Sequence, residues 1–255
     1  MGYTVTVTLD AATVAHLNDI QNGGANPWTL VGCKSVGGST GGTPVVWFTK
    51  NGNFMDQVVL GWEENDYAYI SDSQLIAGGQ IVATDTPVPI APNQTATYDG
   101  AALSVTDSGN SGAAAQNIVI LNNSSNPLCC GLAQQQPTGS DGTSLVPTCA
   151  FPIDGNGDVN LLPRVTILLM FTSGQVNTSA VAEKAYGKAV LITLTGHDND
   201  PTTFVLAYDK DKSWQVGDVT WAQIYPQQAE LAPILNPDAP AVASVRRLRT
   251  AALAG

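Results

Sequence analysis

Charge is scarce in this chain. Only 12% of its 255 residues are charged, against roughly 25% in an ordinary soluble domain. Histidine is scarcer still, with only His16 and His197. Two imidazoles leave few ways to build a Ser-His-Asp triad, and there is no GxSxG elbow. The GxxxxGK[ST] and GxGxxG nucleotide cradles are absent as well. No apolar run approaches the 18 or so residues of a membrane-spanning helix. The longest, Val165 to Phe171, is far too short. The cysteines Cys33, Cys129, Cys130 and Cys149 have no CxxC spacing, which argues against a zinc site. The N-terminal MGYTVTVTLD lacks a basic start followed by an apolar core, so no secretory signal is read. The expected location is cytoplasmic, or outside by a non-classical route.

What charge there is leans acidic: 21 Asp and Glu against 10 Lys and Arg, a net of −11. Three of the four arginines (Arg246, Arg247, Arg249) lie in the last ten residues, so the body is more acidic than the total suggests. Such a body repels nucleic-acid phosphates, and nucleic acid is excluded as a partner. The Pro/Ala-rich tail, 236–255, is the place for a docking arm or self-assembly.

The 44% apolar content supplies a core, and Gly (25) and Pro (15) punctuate it. Tyr3, Val5, Val7 and Leu9 alternate with threonines, the pattern of a half-buried strand. Asp10 follows as the cap of a short helix carrying Val14, Leu17 and Ile20. Strand-like runs recur at 28–31, 45–48, 57–62, 67–71, 80–84, 95–98, 103–106, 117–121, 148–151, 165–171, 189–195, 203–208 and 219–224. Val165–Phe171 is apolar on both faces and belongs in mid-sheet. Gly37–Gly42 reads as a flexible hairpin loop, 134–147 as a long surface loop. The fold expected is all-β: an antiparallel sandwich, either one large or two tandem modules, with a C-terminal tail. The modules would be 1–112 and 113–235. A 123-residue shift, which sets Phe48-Thr49 on Phe171-Thr172, makes a divergent duplication conceivable.

Four groups of residues are candidates for chemistry. Trp62, Glu63, Glu64, Tyr67 and Tyr69 join aromatic faces to carboxylates, a mixture suited to sugar rings or cationic ligands. In a hairpin turning at Asn65-Asp66, Trp62 and Tyr67 would face each other; the same pair could simply stabilise the hairpin. His197 and Asp200, with Trp214 close behind, form a second polar group, equally readable as a solvated loop. Asp154, Asn156 and Asp158 repeat oxygen ligands like a calcium loop. They lack its glycine at position 6 (Val159) and its glutamate at position 12 (Val165), and a Gly/Asn/Asp turn explains them as well. Cys130 and Cys149 could form a disulfide; the other reading is buried free thiols.

Thr/Asn/Gly-rich chains with few charges are similar in composition to lectin-like and cytolysin-like sandwiches and to virion structural proteins, which transfers no residue role. The leading expectation is a non-enzymatic module binding a glycan or other small polar ligand, with calcium as the one cofactor considered. The alternatives are a structural subunit of a coat, filament or inclusion, and a cofactor-independent enzyme with a pocket between the two halves.

Overall fold

The alternation of the first strand is realised residue by residue. In β1 (Gly2–Leu9), Tyr3, Val5, Val7 and Leu9 are buried and the threonines stay half-exposed. The computed structural model describes residues 2–19, 28–195 and 202–237. Asp10 then caps α1 (Ala11–Asn18), its carboxylate accepting from the Thr13 N–H at 2.7 Å. The further strands are β2 (Thr29–Gly38), β3 (Thr43–Pro44), β4 (Val46–Asn51), β5 (Gln57–Glu63), β6 (Asp66–Ser71), β7 (Val88–Ile90), β8 (Gln94–Tyr98) and β9 (Leu103–Asp107). After a 3-10 turn at Gly112–Gln116 come β10 (Ile118–Asn122), β11 (Leu128–Gln135), β12 (Leu145–Pro147), β13 (Cys149–Ile153) and β14 (Asp158–Thr172). The last are β15 (Ala189–Thr193), β16 (Thr203–Asp209), β17 (Ser213–Gln215) and β18 (Ala222–Tyr225), followed by the helix α2 (Ala232–Leu235).

These strands make an all-β, sandwich-like fold of three sheets. A four-stranded sheet runs β17-β16-β1-β5, and a six-stranded sheet holds β3, β13, β11, β6, β7 and β12. The third, with eight strands, is organised by β14. One edge of β14 pairs with β2 along most of its length. The other is shared: Asp158–Leu161 pair with β10, and Thr166–Met170 with β15. Most pairings are antiparallel, but β1–β16 and β8–β10 are parallel.

Two large cores follow. The first is aromatic and holds Val5, Trp47, Leu60, Phe171, Phe204 and Trp214. The second is mostly aliphatic and holds Ile70, Ile120, Leu132, Cys149, Phe151 and Leu161. Both draw on residues before and after position 112. β14 serves both, Leu161 in the second and Ile167, Leu169 and Phe171 in the first. Its opposite face, Leu168 and Met170, packs with Ala182, Ala185, Leu231 and Leu235. Burial on both faces is what its continuous apolar run calls for.

Some local expectations change. Gly37 and Gly38 belong to β2 and are buried. Residues 134–147 are a hairpin, with Gln134 and Gln135 in β11 and Leu145–Pro147 in β12. Segment 80–84 makes only an isolated bridge, Gln80 to Ala180. No helix among the described residues is long and apolar enough to cross a membrane. The tail beyond Pro237 lies outside the described residues.

Candidate functional site

Register explains how a lysine comes to sit in the interior. Along one face of β2, Leu30 enters the first core and Val36 the second. Lys34 shares that face by the two-residue period and falls at the junction of the cores. The corner from β5 to β6 meets it there. Trp62 belongs to the first core and Ala68 to the second, so residues 63–67 carry the chain across. The expected Trp62–Tyr67 hairpin does not form, because β5 pairs with β1 and β6 pairs with β11, in different sheets. Trp62 instead faces Tyr3 across the β1–β5 ladder, with ring centroids 5.9 Å apart.

A closed polar network results. Lys34 Nζ donates to both oxygens of Glu64 at 2.5 and 2.6 Å, and to Gln134 Oε1 at 2.9 Å. Gln134 Nε2 donates to Glu64 Oε2 at 3.0 Å and Asp66 Oδ1 at 2.8 Å. Trp62 Nε1 donates to Glu64 Oε1 at 2.7 Å. The Trp47 and Trp62 rings, edge-to-face to each other, lie 5.1 and 5.8 Å from the ammonium. Lys34 and Gln134 are each 2% exposed. Burial pulls the Lys34 pKa down, against the opposing charges of Glu64 and Asp66. Burial also acts to raise Glu64, but Lys34, Gln134 and Trp62 outweigh it and hold this carboxyl below its ordinary value. At Asp66 burial prevails and the pKa is raised. Two carboxyls two residues apart are thus pushed in opposite directions.

Outside this network, Trp62 walls a cleft of about 580 Å³. Its other walls are Tyr3 and Thr4 of β1, Glu63, Asn65 and Tyr67 of the corner, and Gln135, Gln136, Thr138 and Thr143 of the β11–β12 hairpin. The hairpin tip is pinned. Thr138 exchanges backbone hydrogen bonds with Gly61, and Asp141 Oδ2 accepts from the backbone and side-chain N–H groups of Asn51, both at 2.7 Å. Trp47 Nε1 donates to the Gln135 carbonyl at 3.2 Å. Gly139 has φ +83°, and a Cβ there would run into the Val59 carbonyl, so only glycine suits this approach to β5. A second cavity, of about 480 Å³, is lined by Glu64, Asn65, Asp66, Tyr67 and the 89–92 segment.

The corner brings Trp62, Glu63, Glu64 and Tyr67 together, but not all as exposed contacts. Trp62 is only 8% exposed, and Glu64 turns inward to Lys34. Tyr69 is fully buried and its hydroxyl donates to the Cys149 carbonyl at 2.6 Å; it is a core residue, because its β6 position faces the interior. Trp214 is likewise buried, stacked on Phe171 with its Nε1 donating to the Lys188 carbonyl. Asp154, Asn156 and Asp158 lie at the β13–β14 corner. Asn156 takes φ +55° and the Gly157 N–H bonds back to the Asp154 carbonyl, as in a tight turn. Among the described residues no cluster of three or more His, Cys, Asp or Glu could hold a metal. Cys130 and Cys149 are free thiols, as are Cys33 and Cys129. The β11–β13 register sets Cys130 opposite Phe151, and Cys149 Sγ accepts from the Leu132 N–H. His197 and Asp200 lie outside the described residues.

The sequence pattern does not reveal Lys34, Gln134 and Trp47 as members of this group, and it places Asp66 at a hairpin turn rather than facing Gln134. The available signal was Lys34 itself, the only charged residue between Asp19 and Lys50. No protein-family model matches the chain, and neither a curated protein nor a solved structure matches it.

Proposed function

We propose that this chain is a non-enzymatic binding module that takes a glycan or similar polyhydroxylated ligand in the cleft beside Trp62. The observation that carries this reading is the cleft's lining. Aromatic edges from Tyr3, Trp62 and Tyr67 stand among amides and hydroxyls from Asn65, Gln135, Gln136, Thr138 and Thr143, with Glu63 as the one carboxylate. Sugars present apolar C–H faces and a rim of hydroxyls, so rings with amides around them complement both. The pinned hairpin supports the reading too, since a wall already ordered costs little to order on binding.

The test is a glycan-array screen of the full chain, followed by titration calorimetry on any hit. Tyr67→Ala and Gln136→Ala remove cleft contacts while leaving the buried network in place. Each is expected to weaken binding about tenfold, ~1.4 kcal/mol; Gln136→Ala should leave the unfolding midpoint unchanged, while Tyr67→Ala, whose ring packs against the Tyr69–Ile81 cluster, should lower it. Binding that survives both substitutions would move the ligand elsewhere. A screen without hits would refute the ligand class.

A further inference from the structure

We infer that the Lys34 side chain and the Gln134 side chain join in an intramolecular amide, a covalent tie between β2 and β11. The two strands lie in different sheets. Two carboxyls are already in place around the pair. Lys34 Nζ is 2.9 Å from Oε1 of Gln134, and the carbonyl carbon is one bond further. Rotation about the terminal Gln134 torsion, a broad and soft one, is what presents that carbon to the amine. Glu64 meets Nζ with both oxygens. The Gln134 nitrogen, which would leave, sits between Glu64 and Asp66 at 3.0 and 2.8 Å. An ion pair needs only Lys34 and Glu64; the amide and the second carboxyl are what acyl transfer adds.

The step balances without an outside reagent. Glu64 accepts one proton from the Lys34 ammonium, a transfer that burial assists by disfavouring the charged amine. The free amine adds to Gln134 Cδ, forming the Nζ–Cδ bond. Asp66, whose pKa burial raises, in its acid form delivers a proton to Nε2. The Cδ–Nε2 bond breaks and ammonia departs, while the second Nζ proton restores the Asp66 carboxyl. The proton held by Glu64 leaves with ammonia as ammonium. A primary amine and a primary amide have become a secondary amide. Water is kept from the carbonyl by the burial of both partners, and the cavity lined by Glu64 and Asp66 offers the way out. Glu64 and Asp66 are catalytic here, since both touch the reacting atoms. The inference is independent of what the cleft binds.

High-resolution mass spectrometry of the unfolded, reduced full chain tests it, with a peptide map to locate any change. The expected chain is lighter than its sequence by one ammonia. A branched peptide should join Lys34 to Gln134, and trypsin should fail to cut after Lys34. Asp66→Asn and Gln134→Met should both have their full sequence mass. A wild-type chain still at sequence mass after long incubation at neutral pH would overturn the proposal. So would an ammonia loss mapped to other residues, or loss of water joining Lys34 to Glu64 instead.

Discussion

The corner at Glu64–Asp66 and the corner at Asp154–Asp158 are both short and acidic, and both carry the chain from one sheet to another. Their side chains fare differently. At the first, Glu64 and Asp66 are drawn in to Lys34 and Gln134. At the second, Asp154 and Asn156 are exposed, and the turn is held by backbone bonds such as Asn156 N–H to the Ser124 carbonyl. Composition does not separate them; position does. The first corner lies where two cores meet, opposite a lysine that nothing else neutralises. The second is hydrogen-bonded to the 122–126 loop. A carboxylate's chemistry therefore depends on the strand it faces, and those partners are distant in sequence.

The comparison can be broken most forcefully at Lys34. In the Asp66→Asn background, where Lys34 and Glu64 remain an ion pair, Lys34→Met leaves Glu64 buried without its cation and should cost about 3–5 kcal/mol of unfolding free energy. Adding Glu64→Leu should recover much of that loss, since an apolar pair of similar volume carries no uncompensated charge. A double variant no better than the single would mean the two side chains do not interact. Denaturant titration reads both.

A pH series sharpens the same point. In Asp66→Asn, which keeps Lys34 and Glu64 as an ion pair, Glu64 remains the informative group. Its folded pKa lies below the ordinary value of 4.5. Its contribution is therefore complete above the unfolded pKa and is lost as pH falls through the lower folded one. Stability of this variant should hold down to about pH 5 and then decline. With Glu64→Gln added, this acid-side decline should shrink.

A smaller effect is expected in the cleft wall. Gly139→Ala puts a side chain against the Val59 carbonyl at a positive φ, so the hairpin tip must shift. A destabilisation of roughly 1 kcal/mol or more should follow, and any ligand bound beside Trp62 should be held more weakly. Calorimetry on the variant reads both. The smallest effect belongs to the second corner: Asp158→Asn should change stability by less than about 0.5 kcal/mol.

How much of this was legible in the sequence depends on how each strand is buried. β1 was readable because one face is wet, so Tyr3, Val5, Val7 and Leu9 alternate with threonine. Asp10 announced its helix, because a cap needs only a local donor. β14 was readable because both of its faces are covered. β2 is also buried on both faces, yet its glycines and Lys34 mask the apolar run beyond Val31. Tyr69 and Trp214 looked like contact residues because aromatics near charges suit ligands. Only the three-dimensional register shows that their rings point inward. Of the site, the Trp62–Tyr67 segment could be picked out from its residue types. Lys34 and Gln134 could not, because what joins them to it is a topology that no local pattern records.

The most direct test of this account compares Glu64→Gln with Asp154→Asn in one denaturant series, both in the Asp66→Asn background that keeps the ion pair. The buried network predicts a loss of about 3 kcal/mol for the first and a change within about 0.5 kcal/mol for the second. Two equally small changes would contradict it, placing Glu64 in water and Lys34 without its partner.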